Sequence, residues 1–147
     1  MILPKCEKSK QYQVISGQAL VEFAFVLPIL ILLIVAVVDF GILFYVQMVV
    51  INAAWEGGRA GTTIVNPVLG DQEIMGAVHK AAYGLDFTRL KIDIDPTQDE
   101  SPRNQPYPAP RGEMLTLTVT YPVSLSFPHL LVPVSGRSVS CMEYQNP

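Results

Sequence analysis

The longest apolar stretch in the chain fixes its first element. From residue 23 to residue 38 no position is charged, and apart from Pro28 every side chain is strongly apolar or small. Widened to residues 19–51, the run is broken only by Glu22, Pro28, Asp39, Gly41 and Gln47. A bilayer core of roughly 30 Å is crossed by about 20 apolar residues in a helix, so the run is long enough to span. A buried helix of a soluble core is a poor fit, because no polar face recurs at helical period within residues 23–38. After that stretch, FGILFYVQMVVINAAWEGGRAG keeps apolar residues at helical spacings while Gln47, Asn52, Glu56 and Arg59 enter. A helix over residues 18–60 would be about 65 Å long, roughly twice the bilayer core, and so projects beyond it. Gly57, Gly58 and Gly61 weaken that helix, and its end is expected between Gly57 and Thr63, with GGRAG as a frayed terminus.

The patterns that follow are shorter and of two kinds. DQEIMGAVHKAAYGL, residues 71–85, sets Ile74, Ala77, Val78 and Ala81 on one helical face, with Asp71 suited to capping and Gly84 near the stop. LKIDID alternates Leu90, Ile92 and Ile94 with Lys91, Asp93 and Asp95, the period of a half-buried strand. The segment PTQDESPRNQPYPAPRGE, residues 96–113, is rich in proline and polar groups and reads as an exposed loop. MLTLTVTYPV is the cleanest strand, with Leu115, Leu117, Val119 and Tyr121 on one face and three threonines on the other. SFPHLLVPV reads as a proline-punctuated loop or short turn with an apolar patch, and RSVSCMEY, residues 137–144, as a return strand. The expected fold class is α+β: a long N-terminal transmembrane helix, then a small antiparallel sheet of about three strands with one packed helix. Three regions follow: residues 1–17 as a cytoplasmic leader, 18–62 as the transmembrane and projecting helix, and 63–147 as an extracytoplasmic α+β domain. So small a domain buries a modest core, and docking onto the long helix or a partner helps it.

Charge sets the orientation. Lys5, Lys8 and Lys10 stand against Glu7 ahead of the apolar run, which favours a cytoplasmic N-terminus. The net charge of −3, without a basic stripe, argues against a nucleic-acid partner. Cys6 and Cys141 lie on opposite sides of the run, so if it spans they cannot pair. An ordinary secretory signal has an apolar region of about 7–15 residues and a small-x-small cleavage site, and neither fits here. An uncleaved signal anchor remains, as does a cut before the apolar run, after Gly17. That cut would place a positive α-amino group on Gln18, with Glu22 as the fifth residue. The Glu22 carboxylate would then sit in the first helical turn, where the dipole favours it, or would neutralise the amine of a neighbouring subunit.

The order Gly17, four residues, Glu22 and Phe23 at the head of a long apolar helix resembles the processing site of type IV prepilins. The fuller string GQALVEFAFVLPILILLIVAVVDFG, with NAAWEGGRAGT after it, resembles the TadE-like proteins, pseudopilins of the tight-adherence (Flp) pilus machinery. This match covers roughly residues 16–63, with fainter echoes in LTLTVTYPVSL and SVSCMEY; Phe23 stands where the motif usually has tyrosine. The resemblance implies processing by a prepilin peptidase between Gly17 and Gln18 and a registration role for Glu22 and Phe23. It also implies residence in the inner membrane, with other pilins or pseudopilins and inner-membrane pilus assembly proteins as partners beside the lipid bilayer. The alternative is an uncleaved single-pass membrane protein whose outer domain binds a ligand without polymerising.

Two features of the apolar helix carry open readings. Asp39 lies about 25 Å along the axis from Glu22, near the outer edge of the hydrocarbon. An interfacial carboxylate reaching water is the favoured reading, over a contact with a partner's helix. Pro28 either kinks the helix or unwinds it locally. Trp55 is an interfacial anchor or packs the helix on the globular domain. No catalytic constellation is found, and no enzyme activity, metal or cofactor is expected. His79 and His129 lack metal-ligand spacing, and Cys141 reads as a small buried side chain. DIDPTQDE has Asp93, Asp95, Asp99 and Glu100 but not the glycine and final glutamate of a calcium loop, and GGRAG lacks the Lys-Ser/Thr of a phosphate loop.

Overall fold

The computed structural model describes residues 16–62, 70–97, 99–100, 114–126 and 130–142. The lysine-rich leader up to residue 15, most of the 96–113 loop, and His129 lie outside these. Helix α1 spans Ser16–Thr62 and α2 spans Gly70–Ala81; after a short 3-10 turn, Phe87–Arg89, come strands β1 (Lys91–Asp95), β2 (Met114–Ser124) and β3 (Leu131–Cys141). The strands form one antiparallel sheet in the order β1-β2-β3. Among the described residues this is the α+β arrangement that the pattern predicts: one long helix, one short helix and three strands.

The chain divides into two units, Met1–Val37 and Val38–Pro147. In the first, every residue from 19 to 34 is exposed, and none is buried by the described residues. In the second, the part of α1 from Val38 onward supplies one wall of the core. Its buried positions are Asp39, Val46, Val50, Ala53, Ala54, Gly57 and Gly58, one face at helical period. Against it lies the sheet face of Leu115, Leu117, Val119 and Val123 from β2, with Val134, Gly136 and Ser138 from β3. Ile74 and Val78 of α2 are also fully buried in this core, followed by Ala82 and Leu85. The threonines of β2 alternate to the other face of the sheet, as the sequence period requires.

Strand β2 runs back along α1. An added Cβ at Gly61 would collide with Leu115, and one at Gly57 would collide with Leu117 and come within 2.5 Å of Val78 Cγ2. At the other end, the backbone N–H of Ser126, just past β2, donates to the carboxylate of Asp39, 3.2 Å from each oxygen. The match of lengths follows from backbone geometry: the 22 residues from Asp39 to Gly61 rise about 33 Å as helix, and the 11 residues from Leu115 to Ser126 about 36 Å as strand.

Three expectations are corrected. GGRAG is not a frayed end: Gly57 and Gly58 are buried, and α1 meets β2, β3 and α2 there because no Cβ intervenes. Strand β3 begins at Leu131, so the LVPV of the expected loop is strand; it runs to Cys141, and Tyr144, the expected end, lies outside the described residues. Its proline is tolerated because Pro133 pairs with Pro122 across the ladder and β3 is an edge strand; neither residue can donate, so they suit a pair with no bonds between them. Finally, α2 closes at Ala81, and Gly84, at φ +91°, belongs to the turn after it.

Candidate helix-packing surface

The residues of the prepilin-like motif open α1. Gly17 and Gln18 lie in the first turn of the helix, and Gly17 has open space where a Cβ would stand. Glu22 follows on the exposed helix, and Phe23 is 57% exposed. Glu22 and Phe23 are adjacent in sequence and therefore point about 100° apart. The helix is continuous through Pro28, whose missing N–H removes one bond without ending the element.

Asp39 differs from both readings that its position in the sequence allowed. It is only 7% exposed, and the N–H that approaches its carboxylate belongs to this chain, 87 residues away. An N–H directed at a carboxylate is a charge-assisted bond, which offsets part of the cost of removing the charge from water. A few residues along, Gln47 Nε2 donates to the carbonyl of Ser135 at 3.1 Å, a second tie between α1 and the β2–β3 hairpin.

An exposed side of α1, flanking the one that meets the sheet, carries the candidate site. Phe40, Phe44, Met48, Ile51 and Trp55 are 62, 66, 72, 40 and 67% exposed. At 100° per residue these five fall within an arc of about 80°, a single stripe about 22 Å long. Phe40 and Phe44 stack along it with ring centroids 6.3 Å apart. The sheet side of the same helix uses small or β-branched residues, among them Val46, Val50, Ala53 and Ala54, whereas this side presents large ones. Trp55 thus does not pack on the globular domain. Exposed stripes of this size mark interaction surfaces rather than solvated faces.

Other candidate chemistry disperses. Cys141 is exposed at the end of β3, not buried as expected, because it pairs with Met114 on the face turned away from α1. His79 stacks on Phe87 with ring centroids 5.1 Å apart. Among the described residues no group of three His, Cys, Asp or Glu is placed to hold a metal ion. An open groove is lined by Asn52, Glu56 and Arg59 of α1 and by Lys80 of α2.

With this geometry in place, comparison with known proteins gives one match: residues 17–59 fit the family model described as TadE-like protein. The matched segment runs from the prepilin-like glycine through the whole exposed stripe. No curated protein and no solved structure matches the chain.

Proposed function

With a TadE-like segment at residues 17–59 as the premise, we propose that the chain is a minor pseudopilin, a membrane-anchored component of tight-adherence (Flp) pilus biogenesis. The observation that carries the reading is the stripe from Phe40 to Trp55, which continues an apolar helix past the depth that lipid can cover. A helix that is apolar on two sides beyond the bilayer needs two neighbours: the sheet is one, and a second helix is the other. In this reading the leader is cytoplasmic, a prepilin peptidase cuts after Gly17, and Val38–Pro147 lies outside the inner membrane.

Glu22 then has a defined task. With Gln18 as the N-terminus, the Glu22 carboxylate lies one helical turn along and receives the α-amino group of an adjoining subunit as the helices pack. Such a pair in apolar surroundings contributes roughly 1.5–3 kcal/mol, so Glu22→Ala should weaken subunit association about tenfold or more. Membrane insertion should not fall, since removing a charge from a spanning helix favours insertion. The check is pilus output beside the membrane-inserted amount of the variant. Normal piliation with normal insertion removes the role, and favours a single-pass protein whose outer domain binds without polymerising.

A further inference from the structure

Within the second unit, the β2–β3 hairpin runs along α1 toward Asp39. From residue 114 to residue 136 the sequence contains no Asp, Glu, Lys or Arg. The tip is closed by the Leu125 N–H donating to the Leu130 carbonyl at 3.0 Å. Leu130, which makes that closure, and Leu131, the first residue of β3, are 55% and 58% exposed, so two adjacent leucines stand at the surface there.

The depth of this tip along α1 is set by the Asp39 contact. The carboxylate receives the Ser126 N–H at 3.2 Å, so the tip stands beside residue 39. Residues 19–38 form about 30 Å of apolar helix, which brings the far face of a bilayer to the same residue. We propose that the tip, through Leu130 and Leu131, is a second membrane contact: it enters the boundary between headgroups and acyl chains beside the emerging helix. The inference rests on the membrane-anchored reading of α1. Lipid is favoured over a second protein because Leu130 and Leu131 are exposed beside Asp39, where the bilayer edge falls, and no Asp, Glu, Lys or Arg lies between residues 114 and 136. Asp39 acts as the tie. Its charge is held out of the hydrocarbon by an N–H of the element that it positions, which explains an aspartate at the end of an apolar run.

The test uses the full chain in phosphatidylethanolamine/phosphatidylglycerol vesicles, with Cys6→Ser and Cys141→Ser removing the native thiols. A polarity-sensitive fluorophore is attached at one of three single cysteines: Leu131→Cys at the tip, Ile31→Cys within the apolar run, or Thr118→Cys on the outer sheet face. Nitroxide lipids labelled near the headgroup or deep in the acyl chain serve as quenchers. Position 131 should be quenched several-fold more by the shallow than by the deep label, position 31 most by the deep label, and position 118 by neither. Adding Asp39→Leu should lower quenching at position 131 at least twofold without changing position 31. Quenching at 31 but not at 131 overturns the tip contact and leaves the membrane anchor standing. A blue shift at 131 without lipid quenching also overturns it, since protein rather than lipid then covers the tip. No quenching at position 31 removes the membrane reading itself, and the inference with it.

Discussion

Gly136→Val should prevent the second unit from folding stably, whereas Gly76→Ala should slightly strengthen it. At Gly136 the edge strand crosses α1 so closely that an added Cβ would lie 2.7 Å from the Val50 carbonyl oxygen, 2.8 Å from Ile51 Cα and 2.9 Å from Ile51 N. These are backbone atoms, so no rotamer change relieves the clash; either α1 or β3 must move. Moving β3 disturbs the pairing of Val119 with Gly136 and of its neighbours, and moving α1 uncovers the fully buried Val50. Overpacking an ordinary core site costs about 1–3 kcal/mol, and a backbone clash belongs at or above the top of that range. Against a total stability of about 5–15 kcal/mol, this leaves little margin. Gly76 sits inside α2 with nothing within 4 Å of an added Cβ, so alanine there should stabilise by about 0.5–1 kcal/mol. Protease resistance of the two full-length variants across a urea series reads both: a lowered midpoint for position 136 and a raised one for position 76. Equal midpoints would mean that β3 does not cross α1 at Gly136.

The second large effect concerns assembly rather than folding. Met48→Glu and Trp55→Glu should leave the unit folded and membrane-inserted but reduce association with partner helices about a hundredfold or more. Both residues are largely exposed, 72% and 67%, so the fold loses almost nothing. In a packed helix pair the same positions are buried, and truncating an anchor of this kind costs about 2 kcal/mol or more before the burial of an unpaired charge is added. Cysteine crosslinking along the stripe, between copies of this chain and with co-expressed pilins, reports the loss directly. If crosslinking and pilus output survive both substitutions, the stripe is not the packing surface.

Much of this molecule can be read from local pattern. The apolar run, the alternation of Leu115, Leu117 and Val119, and the Ile74/Val78 face all depend on near neighbours in sequence, and the structure realises each of them. What pattern misreads is what depends on distant residues. Glycines 57, 58 and 61 weaken a helix in isolation, and only the arrival of Leu115, Leu117 and Ser138 turns the same composition into close packing. The partner of Asp39 is 87 positions away, so no window around the aspartate reveals it. The stripe is a subtler case. Beyond residue 39 the helix is apolar on two sides, and sequence period alone does not say which side the sheet takes; the small residues at Ala53, Ala54 and Gly57 decide it by permitting the closer approach. Prolines mark turns more often than strands, which is why Pro133 conceals the start of β3; its pairing with Pro122 at an edge removes the objection.

The most direct test of the account is the intact mass of the protein recovered from membranes, with and without the prepilin peptidase. A chain beginning at Gln18, found only when the peptidase is present, is the predicted result, and it makes Glu22 the fifth residue of a subunit ready to pack. A full-length chain in both backgrounds would contradict the prepilin-type reading and leave α1 as a simple anchor for the domain that it carries.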